Sequence, residues 1–192
     1  GDWSSNVCFP ILFRNTRKIG HVVSEMSGHA LAKWSVTMYR NGRSRWAEIR
    51  IQQALDAELE NIQAFEDGLR AVEMLQREGV RVAVCSNLAA PYAAPIKRLY
   101  PNLDAYGFSF QLGMMKPDKR IYRATCELAG ARADDYFGSD RVLMIGDSPK
   151  CDKAGARAAG VRGFLLNRIG VGDFKSLIEF AEAILEENSK NM

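Results

Sequence analysis

One stretch decides the fold of this chain: Val142-Leu143-Met144-Ile145-Gly146-Asp147-Ser148-Pro149-Lys150-Cys151-Asp152. A short apolar run that ends at Gly-Asp is typical of a buried strand of a parallel sheet, followed by a polar turn. Ligands bind at the carboxyl ends of the strands in such sheets, so Asp147 and Asp152 are candidate site residues. Their carboxylates are hard oxygen ligands suited to Mg²⁺. The simpler interpretation is a turn in which Asp152 caps the next helix.

Strand-like and helical patterns alternate on both sides of that stretch, from about residue 60 to residue 168. This alternation predicts an α/β domain built on a parallel sheet. The predicted strands are Val80–Cys85, Ala105–Gln111, Arg141–Ile145 and Arg162–Asn167. The predicted helices are Phe65–Glu78, Pro91–Leu99, Lys119–Ala129, Asp152–Ala159 and Phe174–Glu186.

The first 60 residues follow a less regular pattern. Val7–Phe13 has the apolar character of a strand, but Pro10 cannot donate to a sheet ladder, which argues against a central strand. Val22–Tyr39 and Arg45–Asn61 are predicted as helices, separated by a turn at Asn41-Gly42.

Two further polar clusters follow the predicted strands. Ser86-Asn87 comes directly after one strand and Lys116-Pro117 after the next. The hydroxyl of Ser86 and the nearby main-chain amides suit phosphate oxygens, and the ammonium of Lys116 suits a phosphoryl group. Together with the paired carboxylates they form the electrostatic half of a phosphoryl-transfer site. Taken singly, Ser86-Asn87 reads as a turn and Lys116-Pro117 as a surface loop.

Composition narrows the class of protein. The chain has 192 residues and a net charge of +3, which is too small to imply a nucleic-acid partner. No apolar stretch approaches the roughly 20 residues that span a bilayer. The N-terminus shows no secretory signal. The four cysteines are widely spaced and form no CxxC pair, which disfavours a zinc site. Cys85 lies in an apolar, strand-like run, which predicts a buried thiol. A reducing, cytoplasmic compartment fits this use of cysteine best.

Residues 62–168 resemble the haloacid dehalogenase-like (HAD) phosphohydrolases in three motifs. Val82-Ala83-Val84-Cys85-Ser86-Asn87 resembles the second motif, and Lys116-Pro117-Asp118 the third. Met144-Ile145-Gly146-Asp147-Ser148-Pro149, with Asp152 five residues beyond Asp147, resembles the fourth. The resemblance implies a three-layer α/β/α sandwich with a parallel, Rossmannoid sheet and a small helical cap. On that basis we divide the chain into an atypical N-terminal strand region (1–19), a helical cap (20–60) and a HAD-like core (61–192).

The resemblance also implies roles for individual residues. Ser86 and Asn87 would bind the phosphoryl group, and Lys116 would bind phosphate and serve in catalysis. Asp147 would bind Mg²⁺. Asp152, also assigned to catalysis, would support the metal site or orient Lys116. The partner that the resemblance implies is a small phosphorylated molecule. No contact with a membrane is expected, and the oligomeric state stays open.

The first motif of the family is missing from this sequence. In the family an Asp at the end of the central strand attacks phosphorus, and a second Asp two residues later is the general acid and base. No Asp occurs between Asp2 and Asp56, and the stretch Phe9-Pro10-Ile11-Leu12 offers no Asp-x-Asp. Either this motif has diverged, or it has been lost by truncation or replacement of the start.

Three functions remain open at this stage. The first is a Mg²⁺-dependent phosphatase of small phosphorylated metabolites that is inactive or impaired, because no nucleophile is found. The second is a non-catalytic pseudoenzyme that binds phosphate and metal in the same pocket. The third is contact with nucleic acid through the basic and aromatic residues between Lys33 and Trp46, which the modest excess of charge disfavours.

Overall fold

The structure is a computed structural model that describes residues 6–9, 13–15, 44–131 and 142–190. Side chains are described for residues 52–131 and 142–190.

A five-stranded parallel sheet organises the described part of the chain. Its strands are β1 (Asn6–Phe9), β4 (Arg81–Ser86), β5 (Ala105–Phe108), β6 (Val142–Gly146) and β7 (Arg162–Leu165). They lie in the order β5-β4-β1-β6-β7 across the sheet. Because all five strands run the same way, their carboxyl ends share one edge of the sheet. A separate antiparallel pair joins β2 (Phe13–Asn15) to β3 (Ile62–Ala64).

The α-helices of the described residues are numbered in chain order. They are α1 (Ser44–Glu60), α2 (Glu66–Arg77), α3 (Ala93–Leu99), α4 (Ser109–Leu112), α5 (Lys119–Leu128), α6 (Ala156–Ala158) and α7 (Leu177–Lys190). A 3₁₀ turn, Ala90–Tyr92, precedes α3, and a π-helical segment, Pro149–Gly155, runs directly into α6. Among the described residues, no helix has both the length and the apolarity to cross a membrane.

Side chains on the sheet alternate between two separate cores. On β6, Val142 and Met144 pack on the face covered by α5 and α6, whereas Leu143 and Ile145 pack on the face covered by α2 and α7. Alternation is the consequence of the pleat, which points successive side chains to opposite faces. Both faces are apolar because helices cover both, and the predicted three-layer α/β/α sandwich is confirmed.

The N-terminal region differs most from the prediction. Val7–Phe13 is wrong as a single strand, because Asn6–Phe9 belongs to the main sheet and Phe13–Asn15 to the antiparallel pair. The expectation that Pro10 excludes a central strand here is also wrong. β1 ends at Phe9, before the proline, and it lies in the middle of the sheet, paired with β4 on one side and β6 on the other.

Elsewhere the predicted elements differ from the observed ones mainly at their ends. Ala105–Gln111 is a strand only as far as Phe108, and Ser109 begins α4. The helix predicted over Asp152–Ala159 begins earlier, as the π-helical segment that starts at Pro149. Arg45–Asn61 is confirmed as α1, while the helix predicted over Val22–Tyr39 lies outside the described residues.

Gly107 lets α5 approach β5 closely. A Cβ at this position would overlap the hydroxyl of Thr125, a fully buried residue that donates a hydrogen bond to the carbonyl of Ile121 at 2.8 Å. Because Gly107 has no side chain, α5 can lie closer to β5 than any other residue at this position would allow.

We expect Gly107→Ala to lower the free energy of unfolding by about 1–3 kcal/mol, because an added methyl group in a filled core forces its neighbours to shift. Urea unfolding would measure the change. The second substitution Thr125→Ala removes the overlapping hydroxyl, so the double variant should recover part of the loss. A Gly107→Ala variant as stable as the parent would contradict the packing described.

Candidate active site

Polar side chains gather where the central strands of the sheet end. Ser86 is the last residue of β4, and Asp147 directly follows the last residue of β6. Between these two strands lies β1. Lys116 stands in the connection from β5 to α5, which leaves the same edge of the sheet. The topology therefore brings the loops of all three sequence motifs to one edge of the sheet.

A buried ion pair joins two of these loops. The Nζ of Lys116 lies 2.6 Å from Oδ1 of Asp152, and the two side chains are only 6% and 2% exposed. The other carboxylate oxygen of Asp152 accepts a hydrogen bond from the main-chain amide of Ser148 at 2.9 Å. Both carboxylate oxygens of Asp152 therefore have a partner. A buried charge pair is stable only when its remaining polar atoms are hydrogen-bonded in this way. The sequence left open whether Asp152 supports a metal or orients Lys116, and the contacts observed are those of the second alternative.

The turn that carries Asp152 is held by its own hydrogen bonds. Ser148 precedes the π-helical segment, and its hydroxyl accepts from the amide of Cys151 at 3.1 Å. The amide of Asp152 donates to the carbonyl of Ser148 at 2.8 Å. From α5, the hydroxyl of Tyr122 donates to the carbonyl of Cys151. A Cβ at Gly155 would overlap that hydroxyl, so glycine is needed where this segment crosses α5.

A second link joins the Lys116 loop to the end of β4. The side-chain Oδ1 of Asn87 accepts from the main-chain amide of Lys116 at 2.7 Å, and its Nδ2 donates to the Lys116 carbonyl at 3.0 Å. One side chain therefore satisfies both main-chain groups of Lys116. No pattern in the sequence predicted this contact, because the partners are 29 residues apart.

Two of the predicted site residues keep free polar groups. The side chain of Asp147 is exposed and makes no hydrogen bond or ion pair with the part of the chain that the structure describes. The hydroxyl of half-buried Ser86 likewise bonds to none of the described residues. These are the groups that remain available for a ligand, whereas Asp152 and the amide of Asn87 are committed to Lys116.

Cys85 directly precedes Ser86 on β4 and is buried, as the sequence predicted. Burial raises the pKa of its thiol to about 11, although the nearby charge of Lys116 acts in the opposite direction. The thiol is therefore protonated at neutral pH and does not replace the missing carboxylate as a nucleophile.

At this edge of the sheet, Asp147 is the described site residue whose carboxylate has no partner and could bind Mg²⁺. No group of three or more His, Cys, Asp or Glu within the described ranges could hold a metal ion. Mg²⁺ retains several waters and is often bound through one or two carboxylates together with substrate phosphate. Asp147 fits that arrangement and would hold the ion together with a bound phosphate, whose negative charge the ion would offset.

The fold and this loop arrangement define an α/β protein with a cluster of polar side chains at the carboxyl edge of its parallel sheet. The model of the haloacid dehalogenase-like hydrolase family matches residues 14–160, more than half of the chain. The chain therefore belongs to the haloacid dehalogenase-like hydrolases. The match begins at residue 14, so β1 and the four residues that follow it lie outside the match. A search of curated proteins found no relative of this chain.

Solved structures of the same fold cover nearly the whole chain. A HAD phosphatase from Thermococcus onnurineus is 15% identical with a TM-score of 0.64, and the alignment covers 94% of this chain and 97% of that one. The HAD-hydrolase YfnB from Bacillus subtilis, bound to magnesium, is 14% identical with a TM-score of 0.63, covering 94% and 98%. A 2-haloacid dehalogenase from Pseudomonas syringae is 17% identical with a TM-score of 0.59, covering 95% and 99%. At these identities the likeness shows the fold alone.

We expect Lys116→Met to lower the free energy of unfolding by about 3–5 kcal/mol, because it leaves the buried carboxylate of Asp152 without its partner. The double variant Lys116→Met/Asp152→Leu should recover most of this loss, since neither charge remains buried. Urea unfolding of all three proteins measures the effect.

The matched control is a Lys–Asp pair with greater exposure. Lys153 and Asp173 lie 2.8 Å apart and are each 29% exposed. Lys153→Met should cost at most about 1 kcal/mol, as is usual for pairs near the surface. Equal losses at Lys116 and Lys153 would contradict a special role for the buried pair.

Proposed function

We propose that this chain binds the phosphoryl group of small phosphorylated metabolites at the edge formed by Ser86, Lys116 and Asp147, and that it has lost the hydrolytic step. The observation that carries the proposal is the position of β1. This strand fills the slot between β4 and β6, which is the place of the family's nucleophile-bearing strand, and the residues after it are Pro10-Ile11-Leu12.

A filled central slot favours divergence of the first motif over its loss by truncation. An Asp-x-Asp strand encoded elsewhere would have to displace β1, which pairs over four residues with β4 and over three with β6. The nearest acidic residues along the chain are Asp2 and Glu25. The residues directly after β1 therefore offer no counterpart to the family's nucleophile or to its general acid and base.

The remaining groups still suit phosphate binding. Lys116 presents an ammonium group held in place by Asp152, and Ser86 presents a hydroxyl without another partner among the described residues. Phosphate oxygens accept from both kinds of donor. Since Asp152 and Asn87 fix the loop of Lys116, little conformational entropy is lost when phosphate binds there.

Charge balance gives Mg²⁺ a part in this proposal. The ammonium of Lys116 and the carboxylates of Asp152 and Asp147 leave one net negative charge at the edge, which opposes a phosphate dianion. Mg²⁺ at Asp147 would reverse that sign. The ion and phosphate should therefore strengthen each other's binding.

Three further assignments belong to the proposal. Residues 20–60 form the cap and residues 61–192 the core, with the atypical strand region at 1–19. The protein binds small phosphorylated molecules in the cytoplasm. Contact with nucleic acid through Lys33–Trp46 stays a prediction, because most of that segment lies outside the described residues.

We expect the purified protein to bind inorganic phosphate, detected by calorimetry, and to show no Mg²⁺-dependent turnover of p-nitrophenyl phosphate. Binding without turnover follows from retained donors and a missing nucleophile. Turnover that requires Mg²⁺ and disappears in Asp147→Asn but not in Glu127→Gln, an exposed carboxylate on α5, would instead make this chain an active phosphatase.

We also expect Mg²⁺ to tighten phosphate binding by about 5–150-fold, the usual range of coupling between two sites. Titration of phosphate in the presence of Mg²⁺ or of EDTA measures the coupling. Asp147→Asn should abolish it, and Glu127→Gln should not. Equal affinities in both conditions would remove Asp147 and the metal from the proposal.

A further inference from the structure

Asn87 uses its side chain on the protein itself. The resemblance assigned Asn87 to the phosphoryl group, beside Ser86. In the structure its Oδ1 and Nδ2 form a reciprocal pair of hydrogen bonds with the main chain of Lys116, at 2.7 and 3.0 Å. The amide oxygen and one amide proton are therefore already engaged before any ligand binds.

A similar reciprocal contact lies at the other end of the same connection. The amide of Leu88 donates to the hydroxyl of Ser109 at 3.0 Å, and that hydroxyl donates to the carbonyl of Leu88 at 3.3 Å. Residues 109–116 are thus fastened at both ends to the two residues that follow Ser86. The contact of Asn87 is the one that fastens the end carrying Lys116.

Lys116 needs such a contact because its side chain reaches inward. Its side chain is 6% exposed, and its ammonium is bound to Asp152, which belongs to the loop after β6. Release of the Lys116 main chain from β4 would let the side chain leave this position. Asn87 and Asp152 therefore hold Lys116 from opposite ends, through its main chain and through its ammonium.

We propose that Asn87 is a positioning residue, which sets Lys116 beside Ser86 and does not itself bind phosphate. The inference deepens the proposed function, because the phosphate affinity it explains is that of the same site. Its first test uses no phosphate, so the two ideas can fail separately.

The first test measures the protection of the Lys116 ammonium. Brief acetylation of the folded protein, without phosphate, followed by peptide mass spectrometry, gives the labelling of Lys116 relative to exposed Lys119. In Asn87→Ala this ratio should rise about fivefold, because two hydrogen bonds that resist local opening are lost. Asn87→Asp keeps the acceptor and loses the donor, so it should give a smaller rise.

The control for this test is Gln76→Ala. The side chain of Gln76 also donates to a distant main-chain carbonyl, that of Asn102, at 2.5 Å. Gln76 lies near the end of α2, which leads into the amino end of β4, away from the site. The Lys116 ratio should stay at the parent value in Gln76→Ala. An unchanged ratio in both Asn87 variants would overturn the proposal.

The second test separates positioning from direct contact with phosphate. Asn87→Ala should weaken phosphate binding about fivefold in the parent. In the Lys116→Met/Asp152→Leu background it should have no effect, because the residue through which Asn87 acts is gone. Affinities come from calorimetry, or from ³¹P line broadening where binding is weak. A loss of equal size in both backgrounds would make Asn87 a direct ligand and overturn the proposal.

A parent protein that binds no phosphate at all would end the proposed function. The acetylation ratio would still decide whether Asn87 positions Lys116, since that measurement depends on the folded protein alone.

Discussion

A buried charge pair is the constraint on which the rest of this site depends. An ammonium and a carboxylate removed from water are stable only when they meet each other and when their remaining polar groups find partners. Here Asp152 meets that condition with Lys116 on one oxygen and the Ser148 amide on the other. The loops after β5 and β6 therefore cannot move independently without exposing or isolating a charge.

The neighbouring structure serves the same constraint. Gly155 allows the segment that carries Asp152 to pass against Tyr122, and Gly107 allows α5 to lie close to the sheet. Asn87 connects the arrangement to β4. These features fix the ammonium of Lys116, while the side chains of Ser86 and Asp147 have no hydrogen-bond partner among the described residues. In the proposed function, phosphate binding therefore persists without attack on phosphorus.

Much of this was predictable from the sequence, since local patterns carried it. The apolar runs ending at Ser86 and Gly146 predicted two strands of a parallel sheet with polar residues at their ends, and the sheet contains both strands. The position of β1 was not predictable, because a four-residue strand beside a proline is a weak local signal and its place depends on pairing with β4 and β6. The contact of Asn87 escaped for a similar reason, as it joins residues that only the folded chain brings together. The π-helical start at Pro149 was missed because its hydrogen bonds depend on Ser148 and Tyr122.

The most direct measurement is a crystal structure of the protein grown with inorganic phosphate. The account predicts one phosphate at the carboxyl edge of the sheet, with its oxygens in hydrogen-bond contact with the ammonium of Lys116 and the hydroxyl of Ser86, and with Lys116 still paired to Asp152. Phosphate bound elsewhere, or a Lys116 side chain turned away from Ser86, would contradict it.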